Sequence, residues 1–271
     1  MPAAGEPRAL GAYFRAGFRR YATYRAATVA GAFTNTMFGL VKASILLAVI
    51  SANGGAAIGG YDASGASSYA WLAQAALSTV YLFAWSEVAV RIRSGDIAVD
   101  LARPVDLQWQ YGAADLGRAA AVILPRAAPP LLIGALTVGL ALPRDPTAYL
   151  AGLMSVLLGI GISFACRFLL NLAAFWLLDI RGVLTVYVAV SGLLCGLYVP
   201  VSWFPPRLAA LATATPFPSM LQAPADILTG RVTGTPVLWS LVVQLIWFGV
   251  TVFAGRAVLA LGTRTLVVQG G

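Results

Sequence analysis

The sequence predicts an all-α membrane protein. It has six transmembrane helices, an N-terminal amphipathic interfacial helix, and a re-entrant or interfacial outer segment before the last span. Three observations carry that fold class. Of 271 residues, 59% are hydrophobic and only 10% charged, against about 25% charged in a soluble domain. Six stretches have roughly the 20 mostly apolar residues that a helix needs to cross hydrocarbon. The basic residues crowd into alternate flanks of those stretches, as multi-pass topology requires. With a mean hydropathy of +0.82, the chain cannot cover soluble cores with polar surface, which excludes an ordinary cytosolic enzyme.

Residues 1–27 form a cytoplasmic leader without the apolar core and cleavage site of a secretory signal. Within it, Arg8–Arg25 reads as a helix. At 100° per residue, Leu10, Tyr13, Phe14, Gly17, Phe18, Tyr21 and Tyr24 share an arc opposite Arg8, Arg15 and Arg19, a pattern suited to the headgroup boundary. The spans follow as one domain over residues 28–261, at 28–50, 69–90, 119–142, 149–170, 183–201 and 237–261. The third is the least regular, interrupted by Arg126 and by Pro125, Pro129 and Pro130. The fourth has apolar length to continue past Arg167 toward Leu178. Fourteen Lys and Arg flanking residues fall on one side and only Arg144, Arg207 and Arg231 on the other. Both termini, including a tail at 262–271, are therefore expected in the cytoplasm, with the chain in the cell inner membrane. The net charge of +8 reads as orientation and contact with anionic headgroups. No nucleic-acid signature accompanies it.

The residue inventory excludes much chemistry. There is no histidine, which removes Ser-His-Asp and Cys-His catalysis and His-ligated zinc or haem. The two cysteines, Cys166 and Cys195, lie in separate apolar runs and read as buried thiols. The one lysine, Lys42, stands in Gly39-Leu40-Val41-Lys42-Ala43 and fails the phosphate-loop pattern. No metal site and no cofactor of its own are expected. The chain does not read as an enzyme.

Between the second and third spans, residues 91–118 are the most polar stretch. Four arginines (Arg91, Arg93, Arg103, Arg118) balance four aspartates (Asp96, Asp100, Asp106, Asp115). Ser94-Gly95-Asp96 reads as a turn opening a short helix that Pro104 ends, with Ile97, Leu101 and Val105 as its apolar stripe. Such a helix can fit a groove on a partner, although a solvated connector has the same composition. Just before it, Glu87 and Arg91 have the spacing of a helical ion pair.

The stretch from Arg93 to Pro104 resembles the membrane subunits of type-2 ABC exporters, the bacterial six-span permeases. So do Gly196–Pro205, Thr215–Met220 and Pro224. This resemblance covers nearly the whole chain. It implies that the loop after the second span docks a separate ABC ATPase subunit, through Gly95, Asp96, Ile97, Asp100, Leu101, Arg103 and Pro104. ATP and Mg would then sit on that ATPase dimer. It implies also that the chain is half a transporter for efflux, dimerising with an identical or related permease.

Within the first span, Gly31, Asn35, Gly39 and Lys42 share a helical face. They read as lining of a path or of the subunit interface. Alternatively, Lys42 snorkels to headgroups. Arg167 with Asn171, and Asp179 with Arg181, either support the ATPase interface or are solvated. Gly192 and Gly196 make a GxxxG packing motif. The outer segment, 200–235, holds too many prolines for a spanning helix yet is apolar. Arg207–Ala214 reads as a short helix started by Pro205-Pro206. The resemblance implies that Pro200, Trp203, Phe204, Pro205 and Phe217 form an extracellular gate; the residues alone also fit an aromatic belt. Two other functions stay open on the residues. One is a secondary transporter with its own ion coupling, disfavoured by scarce intramembrane acids. The other is a non-transporting membrane scaffold.

Overall fold

In the computed structural model, residues 6–265 are described; the first five residues of the leader and residues 266–271 of the tail lie outside the described residues. The described chain is helical, without strands. It begins with α1 (Glu6–Thr23), α2 (Arg25–Ala52) and α3 (Ala63–Val80), followed by two short helices, α4 (Glu87–Ser94) and α5 (Ile97–Leu101). Then come α6 (Leu107–Thr137), α7 (Pro146–Asn171), which runs on as a 3-10 turn to Phe175, and α8 (Arg181–Leu194). Last are α9 (Pro206–Thr213), α10 (Gln222–Leu228) and α11 (Thr235–Gly262). Four of these, α2, α6, α7 with its extension, and α11, are long and apolar enough to cross a membrane; α8 is a shorter apolar helix.

Local chemistry sets the boundaries. Asp62, Asp106 and Asp145 cap α3, α6 and α7, each side chain accepting a backbone N–H from the first turn (2.7, 3.1 and 2.9 Å). The Thr147 N–H holds the exposed Asp145 carboxyl below its ordinary range. Pro206 opens α9, where its missing N–H costs nothing.

Three boundaries differ from the sequence reading. The helix of the second apolar stretch ends at Val80 instead of residue 90, because Tyr81 turns left-handed (φ 61°) and residues 82–86 run irregularly before α4. Residues 107–118, assigned to the polar loop, are instead the first third of α6, which begins at the Asp106 cap. That helix continues through Pro125, Pro129 and Pro130 to Thr137. The helix of the fifth stretch ends at Leu194, and Gly196 follows in the left-handed region (φ 82°).

The core is organised around α3, which packs on α2, α6, α7 and α10. Most of α3 is buried, Ser67, Ser68, Ser78 and Gln74 included. Trp71 is its keystone, fully buried between Gly39 of α2 and Gly134 of α6; a Cβ on either glycine would stand 2.5–2.6 Å from the indole. The leader α1 lies against α6 with backbones nearly touching. A Cβ on Gly17 would meet the Ala114 carbonyl, and one on Gly117 the Phe14 carbonyl. Its aromatic arc is therefore divided: Tyr13, Phe14 and Tyr21 are partly covered, whereas Phe18 and Tyr24 stay exposed.

Candidate functional site

At one end of the molecule α4 and α5 form a projecting shoulder. Gly95, left-handed at φ 81°, turns the chain between them. Of the seven residues singled out for docking, Ile97 and Asp100 point inward. Ile97 joins Val88, Ile92, Leu107 and Phe168 in a second apolar cluster. Asp100 accepts from Arg91, from the Tyr111 hydroxyl (3.3 Å) and, at 3.7 Å, faces Arg103. Gly95, Asp96, Leu101, Arg103 and Pro104 are exposed. The apolar side chains that α5 leaves exposed are Val99 (59%) and Leu101 (36%), which, two residues apart, lie on different sides of the helix; Ile97, four residues before Leu101, is buried. Val99 was missed because a five-residue helix has too little periodicity to fix its phase.

The shoulder is tied to the leader. Arg103 donates to the Tyr13 hydroxyl at 3.0 Å, and Arg20 pairs with Glu87 at 3.2 Å. The Glu87–Arg91 pair expected from spacing does not form, because each residue has a partner on another element: Arg20 for Glu87 and Asp100 for Arg91. Between α1, residues 81–85 and the starts of α4 and α6 lies a polar cleft of about 280 Å³.

Behind the shoulder is a buried charge knot. Asp115 of α6 holds Arg118 at 2.8 Å and Arg167 of α7 at 3.0 Å. Both guanidinium groups are almost wholly buried, and they flank the Tyr81 ring at 4.5 and 4.9 Å. Arg118 also donates to the Ser78 and Thr79 carbonyls (2.9 Å each), which the end of α3 leaves open. Ser163, Arg167 and Asn171, one face of α7, bind the irregular link. Ser163 donates to the Tyr81 carbonyl (3.3 Å). Asn171 donates to the Trp85 carbonyl (2.6 Å) and accepts the Ala89 N–H (3.0 Å). Direct bonds therefore join α4 to α7, and Arg118 of α6 to the end of α3. Arg167 and Asn171 are neither solvated nor at a surface. The signal available in the sequence was their four-residue spacing from Ser163 in an apolar helix.

The face of α2 read as a lining is packed inside the subunit. Asn35 donates to the Ser78 hydroxyl (3.1 Å), Gly39 meets Trp71, and Gly31 meets the guanidinium of Arg126, which donates to the Ala27 carbonyl (3.3 Å). The Lys42 ammonium lies over the Tyr69 ring at 5.7 Å, buried and, among the described residues, without a hydrogen-bond partner. It does not reach outward as a snorkelling lysine does.

At the opposite end, the proline-rich segment is clamped by a polar cluster that sequence reasoning missed. Asp226 of α10 accepts from Tyr61, Arg231 and Gln222 (2.8 Å to Gln222). Gln222 in turn accepts from Tyr69 (2.7 Å) and from the Val201 N–H (2.9 Å). Burial and the neighbouring carboxylate push the Tyr61 hydroxyl up, so it remains a donor. Trp203 donates to the Ile58 carbonyl at 2.7 Å. Of the five residues read as a gate, Pro200 is buried, Trp203, Phe204 and Phe217 are half-buried, and Pro205 is exposed. Asp226→Ala leaves Tyr61, Gln222 and Arg231 without their shared acceptor, at a cost of about 1–3 kcal/mol. Limited trypsin digestion should then cut after Arg207 and Arg231 faster than in the parent chain; an unchanged rate would show that the clamp does not hold the segment.

Residues 38–270 match the model of a family described as ABC-2 family transporter protein. No curated protein matches the chain.

Proposed function

The chain belongs to the ABC-2 family of transporter proteins, and on that premise we propose that it is the membrane subunit of an ATP-driven exporter, energised by a separate ATPase chain. In this reading α3 and α8 join the four longer helices to make six crossings. The termini and the α4–α5 shoulder face the cytoplasm, as the arginine asymmetry favours. The chain forms half of a path completed by a second permease, identical or related. ATP and Mg belong to the ATPase.

The observation that carries the proposal is the shoulder, a short helix with exposed apolar side chains whose inner side is bonded into the fold. Val99 and Leu101, together with the exposed Asp96, Arg103 and Pro104, offer separate contacts to the walls of a groove on a soluble partner. Force on α5 reaches α4 through Asp100 and Arg91, then α7 through Asn171 and α3 through Arg118. At the far end, the segment clamped by Asp226 is positioned to act as the outer gate. The alternative of built-in ion coupling calls for a buried acid free to change its charge. Asp100, Asp115 and Asp226 are instead each bonded to arginine.

Replacing Val99 by Glu together with Leu101 by Ala should lower ATPase co-purification at least about tenfold, as loss of two contacts worth about 1 kcal/mol each implies. Insertion of the chain into the membrane should not change, because both side chains are exposed. Undiminished co-purification would remove the docking assignment.

A further inference from the structure

An apolar groove of about 950 Å³ runs between α6, α7 and α11. Its floor is α7, against which α11 packs closely, while α6 and α11 stand apart. Gly112 and Gly161 line it, each with a ring (Phe164 and Phe248) packed against its Cα, and Leu10 of the leader lines it too. Arg256 bridges the two walls. It lies 5.8 Å from the Trp109 ring and 3.5 Å from Asp106, and its side chain is 46% exposed. Arg264, two turns further on, is exposed as well. Arg256, held by Asp106 only at 3.5 Å, puts one loosely paired guanidinium near the end of a slot that is apolar apart from Asp115, whose carboxylate is bonded to Arg118 and Arg167.

We propose that this groove is a binding site for one anionic phospholipid of the surrounding bilayer, its chains between α6 and α11 and its phosphate at Arg256. Charge selects the occupant. An apolar slot accepts any acyl chain, but a guanidinium at its mouth, only loosely held by Asp106, favours an anionic headgroup with fork geometry. Trp109 has the amphipathic ring that settles at headgroup level. The proposal requires only that α6, α7 and α11 face lipid, so it is independent of ATPase docking.

Native mass spectrometry tests it on the full chain in mild detergent, exchanged against phosphatidylglycerol or phosphatidylcholine with identical acyl chains. One phosphatidylglycerol per chain should be retained at about fivefold the occupancy of phosphatidylcholine, the ratio that one basic residue near a membrane surface provides. Arg256→Gln should erase the difference. Val242→Trp, filling the groove from a position already 45% exposed, should release either lipid. Equal retention of the two lipids by the parent chain would overturn the proposal. So would a headgroup preference that survives Arg256→Gln, or lipid that survives Val242→Trp. A dimer split by Val242→Trp without any headgroup effect would also overturn it, placing a second copy in the groove.

Discussion

Asp115→Ala should produce the largest loss of stability of any single substitution in the half of the fold that carries α4 and α5, about 3–5 kcal/mol. The carboxylate is the common partner of Arg118 and Arg167, both almost fully enclosed. Its removal leaves two cations at Tyr81 with no counter-charge. Truncating an arginine is different, since Arg167→Met still leaves Asp115 bonded to Arg118 through Nε. The expected order is therefore Asp115→Ala well below Arg167→Met in unfolding midpoint, read by heating the detergent-solubilised chain. The reverse order would mean that the knot is held by one strong pair rather than by a shared acid. If the proposed ATPase docks on Val99 and Leu101, preparations of Asp115→Ala that remain folded should still bind it, yet fail to respond to nucleotide in transport. Shoulder and knot are different links in the proposed chain of force.

The second large effect is at Trp71. Trp71→Ala removes a fully buried indole from between Gly39 and Gly134, leaving a void that neither glycine can fill, at a cost of about 3–5 kcal/mol. One term runs the other way. The indole N–H has no hydrogen-bond partner, so its deletion relieves an unsatisfied donor. Trp71→Phe keeps a ring in the slot and deletes that donor, so it should cost much less than Trp71→Ala. Equal losses for the two would mean that the slot depends on the full indole shape. Gly134→Leu attacks the same contact from the other side and should resemble Trp71→Ala in unfolding midpoint, since the new side chain and the ring cannot occupy one place.

Much of the helical order was readable from hydropathy and punctuation. The first, fourth and last apolar stretches became α2, α7 and α11 within a few residues, and the Pro205-Pro206 pair opened α9. The errors fell where polarity was read as solvent exposure. Residues 107–118 are rich in polar groups, yet they form the start of α6, because Gln108, Gln110 and Arg118 are buried against other helices. Arg167 and Asn171 were given to a surface for the same reason. In the docking segment, Gly95 and Pro104 as punctuation were legible, but the phase of α5 was not. Asp226 was not singled out, because its partners Tyr61 and Gln222 lie 165 and 4 residues away, and one of those separations leaves no local trace.

By itself, the sequence determined the solvent of this protein and its family. Those follow from counts and short motifs: little charge, long apolar stretches, and the Arg93–Pro104 stretch. The tertiary structure alone decided which polar residues are buried and whom they meet. A charge in a hydropathy profile reads the same whether it is hydrated or neutralised by an opposite charge on a distant helix. Asp115 and Arg118 are neighbours one turn apart on α6, but only packing brings Arg167 of α7 and the Tyr81 ring to them, and the low dielectric there makes that meeting matter.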